Sequence, residues 1–463
     1  MFQGRVPWNT ILYGHSLIME QRGSVNSNDR FFFAEEIVFR PCKEGFLVVS
    51  VSTANWLVLH SEFQKEALQR LIDGQTIGEV YSLAIDTSTQ QQFTQLLAAL
   101  TARDFARTDH APEPKLLEGF RMLNIYLTNA CNLRCDHCFM RSGKPLKNEL
   151  SANEWKRILS EFHKEGGTFV TFSGGEPLMN NDFDDILIHA AVTGLETTVL
   201  SNGILWTQNR ITKLAPYISQ IQISIDGFDE MSNAKVRGAG HFNHIVNNVI
   251  AFANNGVRTS VATTFTFQNL QDDVVKKYAD FVSDTKSRCI HPVFFKLSKK
   301  VLQGRNTHYT NDENEVFYRR IMEIEQAIDP NAHLNNFIEG HTPNLVARNC
   351  GFGGISIGAD GEIYFCNRIS EVESYGNVNG LPLKPFMEQG LHLHLQTSVD
   401  HLSPCNICHL RYICGGGCRI DDCNFQGRLQ THEGPLLQVR CNDQAVLLLE
   451  RKMIDSFLFY YTF

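Results

Sequence analysis

Cys131, Cys135 and Cys138 stand together in the run Leu127-Thr-Asn-Ala-Cys-Asn-Leu-Arg-Cys-Asp-His-Cys-Phe139. Thiolates spaced Cx3Cx2C suit one face of a cubic iron-sulfur cluster and leave its fourth iron without a protein ligand. An iron left open in this way can bind a substrate or cofactor, which separates the motif from the four-cysteine sites of electron carriers. Zinc is the competing chemistry, because cysteine pairs two to four residues apart also bind that ion. His137 would close the open iron if it were a fourth ligand, so it reads as a spacer that shapes the loop. Phe139 reads as a shield for the cluster.

A second set of residues lies downstream. In Gly174-Gly175-Glu176-Pro177 the glycines let backbone approach a ligand closely. The carboxylate can accept hydrogen bonds from an ammonium group. Ser201-Asn202-Gly203 and Ser224-Ile-Asp226-Gly227 each place small polar side chains at the end of an apolar run. Arg237, in Val236-Arg-Gly-Ala-Gly240, carries a guanidinium fork matched to a carboxylate; its plainer reading is a solvated surface arginine. Val261 to Phe265 could line an aromatic ligand, and strand packing explains them equally well. Any one of these segments alone is a generic loop.

The chain has 13 cysteines. Cys42 and Cys289 stand apart and read as small buried hydrophobes. Beyond the opening triplet, the others crowd the C-terminal part: Cys350, then Gly361-Glu-Ile-Tyr-Phe-Cys366, then Cys405-x2-Cys408-x5-Cys414-x3-Cys418, then Cys423 and Cys441. The segment Met1 to Ser16 lacks the pattern of a signal peptide, so these cysteines read as metal ligands rather than disulfides. A zinc ribbon would use four of them and leave the rest without a role. His392 and His394, alternating with leucines, read as one face of a strand or sheet edge.

These groups need a scaffold. Arg121–Leu127, Thr168–Phe172, Glu196–Leu200, Ile221–Ile225 and Val257–Ala262 are apolar runs suited to buried parallel strands. Ala152–Glu165, Asp182–Thr193, Thr207–Leu214, Asn243–Asn255 and Val274–Thr285 supply intervening helices. The alternation predicts a full or partial parallel α/β barrel with its chemistry at the carboxyl ends of the strands. Ahead of it, Glu36–Pro41 and Gly45–Val51 read as strands joined by a turn. Thr53–His60, Glu62–Ile72 and Ser88–Phe105 read as helices, the last starting near a Ser/Thr cap. This order suggests a small winged-helix-like α+β domain. The expected division is residues 1–107 for that domain, 108–117 a linker, 118–300 the barrel, 301–345 a bridge, 346–445 the cysteine-rich domain and 446–463 a tail.

Composition is that of a globular protein, with 43% hydrophobic and 20% charged residues. A formal net charge of -8 leaves no basic footprint for nucleic acid. No apolar run is long enough to span a bilayer. The expected location is cytoplasmic.

The Cx3Cx2C triplet and Gly174–Pro177 together resemble the signature of the radical S-adenosylmethionine (SAM) enzymes, and the Cys350-to-Cys441 array resembles the SPASM domain found in a subset of them. The resemblance implies a partial (β/α)6-type barrel and three 4Fe-4S clusters. In the family the open iron chelates SAM, and an electron from the cluster cleaves it to a 5′-deoxyadenosyl radical. Gly174, Gly175, Glu176 and Pro177 would contact the SAM amino group, Asn202, Ser224 and Asp226 the ribose, and Arg237 the carboxylate. Cys405, Cys408, Cys414 and Cys441 would hold an outer auxiliary cluster, and Cys350, Cys366 and Cys418 an inner one. Cys423 could complete the inner cluster, replace Cys441 or be a spectator; the first is preferred. Gly304-Arg305 resembles a bridge seen in SPASM enzymes. The N-terminal domain resembles, in size and position, the leader-binding element of enzymes that modify ribosomally made peptides. The implied activity is a maturase that crosslinks side chains of a precursor peptide through C–C, ether or thioether bonds, reduced by an external donor such as flavodoxin or ferredoxin. A formylglycine-forming sulfatase maturase and a non-catalytic peptide-binding scaffold are the alternatives.

Overall fold

The computed structural model describes residues 26–461, apart from 117–120, 271–272, 299–303, 306–310, 332–333, 335–336, 338–340 and 424–436. The Met1–Ser16 segment and parts of the expected linker and bridge lie outside the described residues.

The N-terminal layer is a three-stranded antiparallel sheet, β1 (Ile37–Cys42), β2 (Gly45–Ser50) and β3 (Asn55–Leu59), followed by α1 (Glu62–Ile72), α2 (Ile77–Tyr81) and α3 (Thr87–Ala102). The Thr53–His60 segment is therefore a strand and not the expected helix. Every residue of β3 is buried, which erases the in-out alternation that marks a strand in sequence, and its Trp, Val and Leu side chains suit a pleated surface. Helix α1 starts at Ser61, whose hydroxyl accepts from the Gln64 amide. Helix α3 starts at Asp86 in a capping box with Thr89.

This layer does not close its own core. Val346, Leu410, Ile413, Met453, Ile454 and Phe457 are buried among the side chains of β2, β3, α1 and α3. Residues expected to form a tail build most of α12 (Asp443–Tyr460), N-capped by Asn442. The Trp56 indole donates to the Met453 carbonyl at 3.0 Å, and the buried Arg103 guanidinium lies 4.2 Å from the Trp56 ring.

Among the described residues the central sheet has eight strands. Six are parallel and neighbours in chain order: β4 (Met122–Tyr126), β5 (Phe169–Ser173), β6 (Glu196–Ser201), β7 (Gln220–Ser224), β8 (Arg258–Thr263) and β9 (Val293–Leu297). Strand β9 is not among the expected strands. Between them run α4 (Ala152–Lys164), α5 (Phe183–Thr193), α6 (Gln208–Leu214), α7 (Glu230–Arg237), α8 (Phe242–Asn254) and α9 (Val274–Ser287), and α10 (Asn311–Ile328) follows β9; α7 is not among the expected helices. Val170, Phe172, Val199, Ile221, Ile223 and Val261 point into the apolar core with Trp155, Phe183 and Phe252 of the helices. Their neighbours Thr171, Ser173, Gln222 and Ser224 are half-buried on the opposite face, as the period of two requires. The cysteine-rich part completes the sheet: β10 (Ile355–Ile357) pairs parallel with β4, and β11 (Ile363–Tyr364) follows antiparallel.

His392 and His394 lie on helix α11 (Lys384–Gln396), with Pro385 in its first turn, and not on a strand. His392 is exposed, whereas His394 turns inward and bonds the Phe352 carbonyl through Nδ1 at 2.9 Å. Five residues of Leu/His alternation are too few to outweigh a longer helical context.

Because α12 fills the N-terminal core, Phe457→Ala is expected to cost about 3 kcal/mol of local stability. Amide hydrogen exchange across Trp56–Val58 should accelerate accordingly; unchanged protection would show that α12 is dispensable to this layer.

Candidate active site and cysteine groups

The cysteine triplet sits in the loop after β4. The Cys131 amide donates to the Gly143 carbonyl and the Gly143 amide to that of Asn129, both at 3.0 Å. Glu149 gathers the entry to the loop, accepting from the Asn129 and Leu146 amides at 2.8 and 2.9 Å and from the Thr128 hydroxyl.

Gly174 and Gly175 serve this loop directly. The Gly175 and Glu176 amides donate to the Thr128 and Ala130 carbonyls at 2.8 Å. A Cβ at Gly174 would lie 2.4 Å from Thr128 O, and one at Gly175 would lie 2.1 Å from Ala130 O. The close backbone approach expected of these glycines is thus made to the cysteine loop itself. Gly304 also packs here: a Cβ would sit 2.5 Å from the His137 carbonyl carbon, while Arg305 donates to the Ser142 carbonyl.

Glu176 is fully buried. One carboxylate oxygen accepts from the Ser201 hydroxyl at 2.8 Å, and the other from the Asn202 amide at 2.7 Å. Burial outweighs these bonds and pushes its pKa up to about 7. Pro177 opens a short 3-10 turn after it. The Asn202 side chain donates to Asn132, inside the cysteine loop, at 2.7 Å.

Ser224 closes β7, and Asp226 lies just beyond it, fully buried. The Arg237 Nε donates to Asp226 Oδ2 at 2.6 Å, and His137 Nε2 is 3.4 Å from the same oxygen. The Thr264 amide donates to Oδ1 at 2.7 Å, and the Asn269 side chain donates to the Asp226 carbonyl. Arg237 is 11% exposed, which removes its surface reading. Burial raises the Cys135 thiol pKa, and Arg237 pulls it back. Burial lowers that of His137, whose Nδ1 is buried without a hydrogen-bond partner in the structure. His137 is therefore more than a spacer; its position between Cys135 and Cys138 signals proximity to the triplet but not its turn toward Asp226. Thr264, Asn269 and Glu149 went unnoticed because polar loop residues carry no distinctive spacing. Val261 and Phe265 are fully buried in the apolar core.

The C-terminal thiols form two groups. Cys405 feels Cys414, Cys408 and Cys441, after burial, which together push its pKa to about 12. Cys366 feels Cys350 and Cys418 after burial and rises to about 11. Cys423 also reaches about 11, mainly by burial, and feels the same two partners, Cys350 and Cys418. The loop that carries Cys414 and Cys418 is organised by Arg419, fully buried, which donates to the carbonyls of Thr397 at 2.7 Å, Gly415 at 3.0 Å and Gly417 at 2.8 Å. Cys42 and Cys289 stay outside both groups and are half-buried; the Cys289 thiol donates to the Thr285 carbonyl at 3.2 Å. Among the described residues no three His, Cys, Asp or Glu side chains converge tightly enough to hold one metal ion.

Residues 125–282, which contain the triplet, Gly174–Pro177, Asp226 and Arg237, match the model of the Radical SAM superfamily. The chain carries a radical SAM domain. Similar proteins include the sporulation killing factor maturation protein SkfB of Bacillus subtilis, 30% identical over 40% of this chain and 43% of its own length. Another is the mycofactocin maturase MftC of Mycobacterium tuberculosis, 34% identical over 33% of this chain and 42% of its own. The matches thus span less than half of either relative. The solved structure of anSMEcpe with bound AdoMet superposes with a TM-score of 0.52, at 18% identity, over 75% of this chain and 99% of that one. It shares the fold of the radical SAM domain and its surroundings. No helix among the described residues is long and apolar enough to cross a membrane.

The raised pKa of Glu176 has a thermodynamic consequence. Between pH 4.5 and about 7 the folded state holds a proton that the unfolded chain has released, so this group makes stability fall as pH rises through that window. Glu176→Gln in the metal-free protein is expected to flatten that slope in denaturant titrations at several pH values; an unaltered slope would place the effect elsewhere.

Proposed function

We propose that the protein is a radical SAM peptide maturase that joins side chains of a ribosomally made precursor. The observation that carries this reading is the packing of the Gly175–Glu176 backbone and of the buried Asp226–Arg237 pair around the loop of Cys131, Cys135 and Cys138 at the strand ends, within residues that match the Radical SAM superfamily model.

The donor set fits the groups it would hold. A zinc ribbon would use four of the eight C-terminal cysteines and leave the others without a role, and three thiolates spaced Cx3Cx2C suit a cube with one iron left open. Cys131, Cys135 and Cys138 would hold the SAM-binding cluster, Cys405, Cys408, Cys414 and Cys441 an outer cluster, and Cys350, Cys366, Cys418 and Cys423 an inner one. When bound, the first cluster and SAM supply a radical able to abstract hydrogen from an unactivated carbon.

The chain's own residues bind and orient. Arg237, held through Nε by Asp226, keeps its remaining N–H groups for the SAM carboxylate. Glu176 fixes the Ser201–Asn202 turn; Asn202 of that turn, with Ser224 and Asp226 at the end of β7, would contact the ribose, and Gly174, Gly175 and Pro177 would shape the amino-group contact. Burial of these groups keeps water from the reacting atoms.

The precursor's leader would dock on the N-terminal layer. Strand β1 is an edge of its sheet among the described residues, and beside it Phe31, Phe32, Phe33, Phe39 and Ile72 line a cavity of about 590 Å³. An extended peptide added to β1 would gain backbone hydrogen bonds and place apolar side chains on these rings. Formylglycine formation needs no such layer. A flavodoxin- or ferredoxin-type donor and a cytoplasmic setting complete the proposal.

Co-expression with its leader-core precursor should yield a peptide lighter by the hydrogens lost at each link, and an unchanged mass would overturn the maturase reading. Cys135→Ala should abolish 5′-deoxyadenosine formation. Phe39→Asp should weaken precursor affinity about tenfold, through loss of roughly 1.4 kcal/mol of apolar contact, while SAM cleavage without peptide persists.

A further inference from the structure

We propose that Arg368 is a positioning residue for the inner cysteine group, donating a hydrogen bond to the Cys418 sulfur that raises the reduction potential of the cluster bound there. The inference rests on the reading that Cys350, Cys366, Cys418 and Cys423 hold a cluster.

Arg368 follows Cys366 by two positions, and its amide lies 3.5 Å from the Cys366 sulfur as donor. Its side chain then reaches across to the other half of the group, with Nη1 donating to Cys418 Sγ at 3.5 Å. Two carboxylates fix this pose. Nε donates to Glu371 Oε1 at 2.7 Å, Nη2 donates to the other Glu371 oxygen, and Nη1 donates to Asp421 Oδ2 at 2.9 Å. The side chain is 18% exposed, so the guanidinium is largely screened from water by the groups it joins. One residue thus ties the segment after β11 to the Cys418–Cys423 loop and presents an N–H to a sulfur on each side.

A hydrogen bond to a ligating sulfur favours the more negative, reduced form of a cluster and so raises its potential. The positive charge acts in the same direction. Removing Arg368 would also take a positive charge away from Glu371 and Asp421 beside the cluster, and both effects push the potential down. Lysine keeps the charge but cannot reproduce a fork that holds two carboxylates and a sulfur together.

The test uses the full chain, reconstituted anaerobically with iron and sulfide, in a Cys135→Ala background that removes the SAM-binding cluster. Redox titration followed by electron paramagnetic resonance reads the auxiliary clusters, and iron is counted in parallel. Arg368→Gln is expected to keep the iron content and to move one auxiliary signal to lower potential, leaving the other in place. Arg368→Lys is expected to move the same signal by a smaller amount. Both auxiliary signals at the parent potentials in Arg368→Gln, with iron intact, would overturn the proposal. Should Arg368→Gln take up less iron, the Lys variant decides in its place by the same criterion. If Cys366→Ala leaves the iron content and both signals of the parent unchanged, the underlying cluster reading fails instead.

Discussion

The Thr128 and Ala130 carbonyls accept hydrogen bonds from the amides of Gly175 and Glu176 at a separation that no side chain on the two glycines would permit. This backbone seam locks the loop after β5 onto the loop after β4. It drives the Glu176 carboxylate beneath the surface, where burial raises its proton affinity and the Ser201–Asn202 turn satisfies its oxygens. Asn202 in turn bonds Asn132 within the cysteine loop. The triplet loop is therefore held from below by backbone and from the side by polar side chains.

A second constraint runs through the molecule's periphery. The N-terminal layer and the cysteine-rich region share one apolar core, with α12 and the Leu410–Ile413 segment packed on β3 and α3. Polar contacts reinforce the junction. Arg411 pairs with Glu36 ahead of β1, and Glu450 of α12 receives both Arg40 of β1 at 3.1 Å and His409 at 2.8 Å. Cys408 lies next to His409, so the strand proposed to receive a peptide and the outer thiol group are parts of one packed unit. A layer built in this way cannot be removed without exposing apolar surface that belongs to its neighbour. Its role is better probed by point changes in the groove than by deletion.

Legibility in the sequence varied by feature. The five expected parallel strands agree with the structure to within a residue or two, because buried parallel strands announce themselves as short apolar runs between helical periods. Strand β9, whose Lys296 interrupts the apolar run, did not announce itself. The Thr53–His60 strand and the His392–His394 helix depart from their sequence patterns for opposite reasons. The first is buried on both faces and shows no alternation, whereas the second alternates by chance inside a longer helix. Residues 446–463 resembled a tail because an amphipathic helix at a chain end shows which face is apolar but not what covers it.

By itself the sequence determined the chemistry available: the Cx3Cx2C triplet, the Gly174–Pro177 turn and the spacing of the C-terminal cysteines are local patterns, and ligand type and reach are set by residues close in the chain. Only the tertiary structure decided which partners these residues take. It turned His137 toward Asp226, buried Arg237 against the same carboxylate, grouped Cys423 with Cys350 and Cys418, and set Arg368 between two sulfurs. Each of these contacts joins segments far apart in the chain, and sequence spacing carries no information about pairings that arise only when the sheet and its loops pack together.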